Sequence, residues 1–580
     1  MKKLLDRLPI LCVIILMAVC LLPMMIGRDY SPANELRYLN IVDEAISNGN
    51  VFAFTNQGEA YADKPPFYFW LMMLCKLICG GHNMLALSLL SFIPACVMIA
   101  VMDRWLCTAF PERFSVRKRV AAALMLATSG LYLGMSVFLR MDMLMCMWIV
   151  LAMWTFWKMD NGIGNVRTQR WLLPIFIFMA LFTKGPVGLL VPPLAIVVYL
   201  LFQRRGKDIF KYLGIRTWAV IAALCAFWFA GVFIDGGKDY LNNLLFHQTV
   251  GRAVNSFHHK APVWFYIGMI WAVLAPWCLA VIPSTVRGLL KGGNEEHTES
   301  TGYEKLFTLT VFSTFVMLSC FSSKLAIYLA PVFPFAVYLF PAVRERNKWD
   351  GWSTLSLFIP SVLFTLIGVI LAVVSVVCSI FSSVPEFLNY PFLASKSIFA
   401  GGLVLAAGGL VSQVQMTRFK GEWERPVSTI SVSMLVAMFF ISLNMSSIND
   451  YVGYGNMCKL VPEEGEVYTL GVYRPENMDV YIGRDIYSFD KDVDSFLMLA
   501  PKKGTLLVSL STLGGSDALI EYLEDQEFEI CGPYAVYTLN KITKKESRME
   551  INNDDNPRKA RRQARRDERR SRKNGDGDNS

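Results

Sequence analysis

The stretch RDYSPANELRYLNIVDEAISNGNVFAFTNQGEAYADKPP, between two apolar runs, places Asp29, Glu35, Arg37, Asp43, Glu44, Glu59, Asp63 and Lys64 in one loop, residues 27–66. Carboxylates interleaved with cations suit a reaction on an anionic substrate. A carboxylate can take a proton from a hydroxyl nucleophile, and a cation can hold a phosphate as its charge develops. Ionisable residues recur singly at the edges of later apolar runs: Arg140 and Asp142 in FLRMDML, Lys184 in FTKGP and Lys324 in SSKLAIY. Arg252, His258 and His259 lie in the loop 236–262. Charge at membrane depth is costly unless it is paired or faces a wet cavity. One lysine alone can be explained as a snorkelling anchor, and Glu35, near a helix start, as a cap. The gathering of all these charges on one side predicts a shared polar cavity. There Lys64, Lys184, Lys324, Arg140 and Arg252 are available to a lipid phosphate.

The elements that must position them follow from composition. The chain has 580 residues, 54% hydrophobic and only 18% charged, with a mean hydropathy of +0.40. Soluble domains carry about 25% charged residues, so a soluble globular protein is excluded and a polytopic membrane protein expected. Apolar runs of roughly 17 to 25 residues begin near residues 8, 83, 120, 142, 171, 186, 213, 263, 306, 325, 353, 397 and 427, which predicts about thirteen transmembrane helices. The formal charge of +9 owes much to the terminal KARRQARRDERRSRK, so it says little about a ligand, and no nucleic-acid partner is expected.

Basic loops at 104–119, 158–170, 204–211, 287–305, 344–348 and 418–425 share the side of Lys2, Lys3 and Arg7, which the positive-inside tendency makes cytoplasmic. The loop 27–66, the junctions at Arg140, Lys184 and Lys324, and the chain after residue 447 then lie outside. Three divisions are predicted: a transmembrane domain 1–446, a small periplasmic α/β domain 447–545, and a disordered basic tail 546–580 with almost no apolar residue. In the α/β domain EVYTLGVY, DIYSFD and GTLLVSLST read as strands, SDALIEYLED as a helix and EICGPYAVYTLN as a hairpin. ELRYLNIVDEAISN reads as an amphipathic helix along the interface, with Leu36, Leu39, Val42, Ala45 and Ile46 on its apolar face. Cys458 and Cys531 sit in the polar C-terminal portion, where an oxidising compartment could join them.

The runs SPANELRYLNIVDEAISNGN, YADKPPFYFWL, RMDMLM, LFTKGPVGLLVP, HHKAPVWFY and SSKLAIYLAPVFP, in this order, resemble the successive motifs of bacterial integral-membrane glycosyltransferases of the GT-C fold. They look like those of the lipid A aminoarabinose transferases and, more distantly, the protein mannosyltransferases. The resemblance implies an inverting transfer of a sugar from a polyprenyl-phosphate donor to an envelope acceptor, a lipid A-like glycolipid or another, at the periplasmic side of the bacterial inner membrane. It implies an acidic pair before Arg-Tyr in the first loop, here Asn34-Glu35. The amide of Asn34 cannot act as a base, so Glu35, Asp29 or no residue carries that role. It implies that Lys64 binds the donor phosphate and that Lys324 matches a second lysine of the family; Arg37, Lys184 and Arg252 are further candidates for that phosphate from their residue types. It also implies that Asp63, Asp142 and His259 hold a divalent metal, zinc or similar.

Two other classes fit parts of the sequence. A transporter or flippase of a polyprenyl-linked sugar commonly shows inverted repeats and broken helices at the membrane midplane, whereas this sequence shows no evident repeat and its charges gather at one face. A non-catalytic binding or assembly protein of the same fold is the reading that Asn34 keeps open.

Overall fold

The computed structural model describes residues 8–245, 261–291, 299–346, 351–381 and 384–540. Arg252, His258, His259 and the tail 546–580 lie outside the described residues. The chain divides into two compact units, one comprising residues 1–28 and 41–445, the other residues 29–40 and 446–580.

The first unit is helical. Helices occupy the apolar runs because backbone polar groups in hydrocarbon must be satisfied within their own segment. Among the described residues, eight helices are long and apolar enough to cross a membrane, among them Leu8–Gly27, Met84–Ala109, Met141–Asp160, Gly351–Ile380 and Lys396–Arg418. Polar residues punctuate them: the side chains of Asn83, Ser115 and Asn165 each accept from a backbone amide at a helix start, replacing donors that the first turn leaves unpaired.

The second unit holds a five-stranded mixed sheet in the order β4-β3-β5-β7-β6, from β3 (Val467–Leu470), β4 (Ile486–Ser488), β5 (Gly504–Ser509), β6 (Glu527–Cys531) and β7 (Tyr534–Leu539). β3 pairs parallel with β4 and β5, and β7 pairs antiparallel with β5 and β6. Tyr468, Leu470, Phe496, Leu506, Val508 and Leu519 form its core.

Three expectations are corrected here. Residues 29–40 cluster with the C-terminal unit rather than with the helical unit that contains the rest of loop 27–66. The Glu35–Asn48 helix buries more than the predicted apolar stripe: Leu36, Leu39, Val42 and Ala45 of that stripe are buried and Ile46 half-buried, and Tyr38 and Ile41 are buried as well. Protein covers more of its circumference than a single apolar stripe. Cys458 and Cys531 are both free thiols, both buried.

Candidate active site

A helical hairpin brings two of the candidate residues together in the first unit. Met141–Asp160 and Val166–Lys184 are of nearly equal length and joined by a short turn, so the first residues of one meet the last residues of the other. Asp142 lies in the first turn of its helix and Lys184 in the last turn of its own, the ends at which the helix dipole favours each charge. The two side chains form an ion pair, 4% and 12% exposed respectively. The Lys184 ammonium also lies 4.9 Å from the centroid of the Tyr328 ring, a cation–π contact. Pro186 opens the next helix, turning the chain directly after Lys184.

Lys324 stands two residues before the 3-10 segment Ala326–Val332 that carries Tyr328. It is buried, and its Nζ donates to the carbonyls of Ala261 at 3.1 Å and Phe321 at 2.5 Å. In this conformation its charge is spent on backbone oxygens.

Asp63 and Lys64 follow a loop that the Ile215–Asn242 helix pins. Asp235 accepts from the amides of Val51, Phe52 and Ala53 at 2.9, 2.7 and 2.8 Å. The Tyr240 hydroxyl accepts from Phe54 N at 3.1 Å and donates to Tyr61 O at 2.6 Å. Gly236 permits the approach, since a Cβ there would come within 2.5 Å of the Ala53 Cβ. Glu44 closes the small hairpin of β1 (Thr55–Asn56) and β2 (Glu59–Ala60), accepting from Gln57 N at 2.5 Å and Gly58 N at 3.3 Å. At the loop's end the Tyr61 hydroxyl donates to Asp63 at 3.3 Å, and Lys64 Nζ stands 3.4 Å from the same carboxylate. Lys64 is 21% exposed, so its ion pair is looser than that of Lys184 and it is the most accessible of the three lysines.

Asp43, in the same unit, accepts from Lys76 Nζ at 2.5 Å and faces His82 Nε2 at 2.6 Å. Burial raises its pKa, but the hydrogen bonds from His82 and Lys76 outweigh this and hold it below the ordinary carboxylate range.

The other candidates belong to the second unit. Glu35 is 1% exposed, and its carboxylate accepts from Ser31 N at 2.7 Å, reaching back over the start of its helix. Arg37 donates to Asn34 Oδ1 at 2.9 Å. Asp29 is enclosed by donors: its Oδ1 accepts from Tyr30 N at 2.8 Å and from the Tyr481 hydroxyl, and its Oδ2 from Gly455 N at 2.5 Å. Burial and the Asp29 charge push the Tyr481 phenol well above its ordinary range.

Sequence reasoning reached Lys64, Asp142, Lys184 and Lys324 but missed Tyr328, which faces Lys184, and Asp235 and Tyr240, which fix the loop ahead of Lys64. Asp235 carried one signal, a lone carboxylate at the end of an apolar run before Gly236-Gly237. No group of three or more His, Cys, Asp or Glu side chains gathers at metal-ligand distance among the described residues. Asp63 and Asp142 each face a lysine instead, and His259 lies outside the described residues, as does Arg252.

The profile of the family described as dolichyl-phosphate-mannose-protein mannosyltransferase matches residues 63–230, a span that contains Lys64, Asp142 and Lys184. The chain is 27% identical over 437 residues to undecaprenyl phosphate-alpha-4-amino-4-deoxy-L-arabinose arabinosyl transferase 1 of Pseudomonas fluorescens, covering 74% of this chain and 72% of that one. It is 25% identical over 548 residues to the corresponding transferase of Yersinia pseudotuberculosis, covering 88% and 95%. The fold is that of ArnT from Cupriavidus metallidurans, crystallised with undecaprenyl phosphate, at a TM-score of 0.69 and 16% identity over 92% of this chain and 99% of that one. In fold and in sequence the chain is similar to multi-pass membrane glycosyltransferases of the GT-C type. Within that class the chain resembles the undecaprenyl phosphate-aminoarabinose arabinosyl transferases.

Proposed function

We propose that this protein transfers a sugar, with inversion, from a polyprenyl-phosphate donor to an envelope acceptor, a lipid A-like glycolipid or another, at the periplasmic face of the bacterial inner membrane. The observation that carries the reading is Lys64: a partly accessible cation at the end of a loop fixed by Asp235 and Tyr240, ahead of two prolines that stiffen the chain. About thirteen spans and a periplasmic C-terminal α/β domain belong to the same proposal.

In this mechanism the polyprenyl phosphate leaves already charged and needs no general acid, so a cation to hold it and one base for the acceptor suffice. Lys64 holds the phosphate, with Arg37, Lys184, Arg252 and Lys324 adding positive charge. Glu35 takes the proton of the acceptor hydroxyl as its oxygen attacks the anomeric carbon, and Asp29 is the alternative base. A divalent cation such as zinc, held by Asp63, Asp142 and His259, would neutralise phosphate charge. Elemental analysis of wild type and His259→Ala tests it, with metal well below one equivalent in both removing it from the proposal.

The deciding experiment is release of sugar from a polyprenyl-phosphate sugar by the purified protein with a lipid A acceptor. Transfer to the acceptor supports the proposal. Movement of intact donor across vesicles without cleavage would make the protein a flippase, and binding without either would make it a non-catalytic relative.

A further inference from the structure

A charged cavity lies in the helical unit, away from Lys184. It encloses about 300 Å³, and Arg170, Lys211, Arg216 and Thr217 line it beside Phe210 and Ile215. Arg170 stands near the start of the helix that ends in Lys184, so roughly 20 Å of helix separates the two places at 1.5 Å per residue.

A tight turn brings the other two cations together. Leu213 N donates to Ile209 O at 2.7 Å, closing the short helix Ile209–Tyr212, and Thr217 Oγ1 donates to Tyr212 O at 2.6 Å. Between them a Cβ on Gly214 would stand 2.2 Å from Phe210 O, so only glycine fits and Lys211 and Arg216 are held on either side of it.

No carboxylate lines this cavity. The contrast with neighbouring Arg205 is direct: Arg205 is held by both Asp160 and Asp208. Lys211 rests over the Tyr212 ring at 5.0 Å, and the Arg216 Nε is buried with no hydrogen-bond partner among the described residues. Buried polar groups are normally satisfied, so this donor is available to an acceptor entering the cavity. The start of the Ile215–Asn242 helix adds amide donors and a partial positive charge. Three cations, an unsatisfied guanidinium nitrogen and a helix start call for an anion with several acceptor oxygens, which a phosphate supplies.

The surroundings favour a phosphate attached to acyl chains. Phe210 and Ile215 are 79% and 90% exposed, and Trp171 and Trp218 are also exposed nearby. The span that begins at Ile215 has only 22% of its apolar window buried, so its outer face is open to hydrocarbon. Aromatic residues beside cations are characteristic of the headgroup level of a bilayer. We infer that this cavity binds the phosphodiester headgroup of an anionic phospholipid, with the acyl chains running along the Ile215–Asn242 helix. The inference is independent of the reaction proposed above.

Native mass spectrometry of the full-length protein, released from micelles doped with phosphatidylglycerol or phosphatidylcholine, tests it. Wild type is expected to retain phosphatidylglycerol preferentially, and Arg170→Gln/Lys211→Gln/Arg216→Gln to lose at least about tenfold in affinity as three cations at a lipid surface are removed. The charge-preserving Arg170→Lys/Lys211→Arg/Arg216→Lys variant should bind nearly as wild type. If the glutamine variant does not fold, Arg170→Gln alone, at an exposed position, should give a smaller loss in the same direction. Equal retention of the two lipids, or retention unchanged by the substitutions, would overturn the assignment. So would inorganic phosphate alone raising the melting temperature as much as phosphatidylglycerol, since the site would then be one for a free anion.

Discussion

Asp142 and Lys184 form a buried ion pair between the first turn of one helix and the last turn of the next. The loop between the helices is short and their lengths are matched, so the pair closes the open end of the hairpin. Each charge is desolvated, and each depends on the other. Lys184→Ala or Asp142→Ala alone should therefore cost about 3 to 5 kcal/mol by stranding its partner, read as a lowered melting temperature in detergent. The double variant Lys184→Met/Asp142→Leu should recover most of that loss. A double variant no more stable than the single ones would show that the pair is not the source of the effect.

Lys64 gives the opposite pattern. Its carboxylate partner is 3.4 Å away and it is partly exposed, so Lys64→Ala should leave the melting temperature almost unchanged. Losing a charge-assisted contact to the donor costs about 1.5 to 3 kcal/mol, or turnover lower by roughly tenfold or more. Wild-type turnover in Lys64→Ala would remove this residue from the donor site.

Glu35 is tested by paired substitutions. Glu35→Gln keeps an oxygen that can accept from Ser31 N but abolishes basicity. Loss of a general base should cut the rate by about 100-fold to 10,000-fold with stability retained, whereas a purely capping role predicts near-normal activity in Glu35→Gln and a loss of about 0.5 to 2 kcal/mol in Glu35→Ala. Asp29 already accepts from Tyr30, Gly455 and Tyr481, so Asp29→Asn should chiefly destabilise the C-terminal unit, seen as earlier proteolysis of residues 446–540. Unchanged stability with lost turnover in Asp29→Asn would place the base there.

Asp235 and Gly236 should matter to activity without touching substrate. Asp235→Ala strands the amides of Val51, Phe52 and Ala53, and Gly236→Ala pushes Ala53 away. Both are expected to lower donor turnover through misplacement of Lys64, with faster cleavage by protease between residues 51 and 61. Intact protease resistance together with lost turnover would show that the loop is not what these residues control.

The two C-terminal thiols make a pH prediction. Burial, then the Asp29 charge, pushes Cys458 up to about 12. Burial and Asp450 push Cys531 up to about 11. Only the thiolate reacts, so in the folded protein both should resist a maleimide from pH 7 to pH 9 and label on unfolding. Because each folded pKa is raised, the stability that goes with the neutral thiols is fully present below the ordinary thiol value and is lost as pH rises from there towards the folded values, since the unfolded chain ionises first and is favoured; the loss stops growing above the folded values. Rapid labelling of native protein at pH 7, mapped to Cys458 or Cys531, would contradict the buried placement.

The apolar runs and the strand-rich C-terminal stretch were legible in the sequence because each depends on local chemistry. A span needs about 20 apolar residues, and strands such as Val467–Leu470 and Gly504–Ser509 show their β-branched and aromatic content directly. The charges at the edges of spans were legible for the same reason: Asp142, Lys184 and Lys324 stand out because charge is expensive there. What they bind was decided by the tertiary structure. No spacing relates Asp142 to Lys184 until two helices of matched length fold back, and nothing local shows that Lys324 turns to the carbonyls of Ala261 and Phe321. The same holds for Asp235, whose three amide partners are more than 180 residues away, and for Asp29, which reads as a loop carboxylate until Gly455 and Tyr481 close around it. Sequence determined which residues carry charge and where hydrocarbon must surround them; packing across long separations decided which of those charges are already satisfied and which, like Lys64, keep access to a ligand.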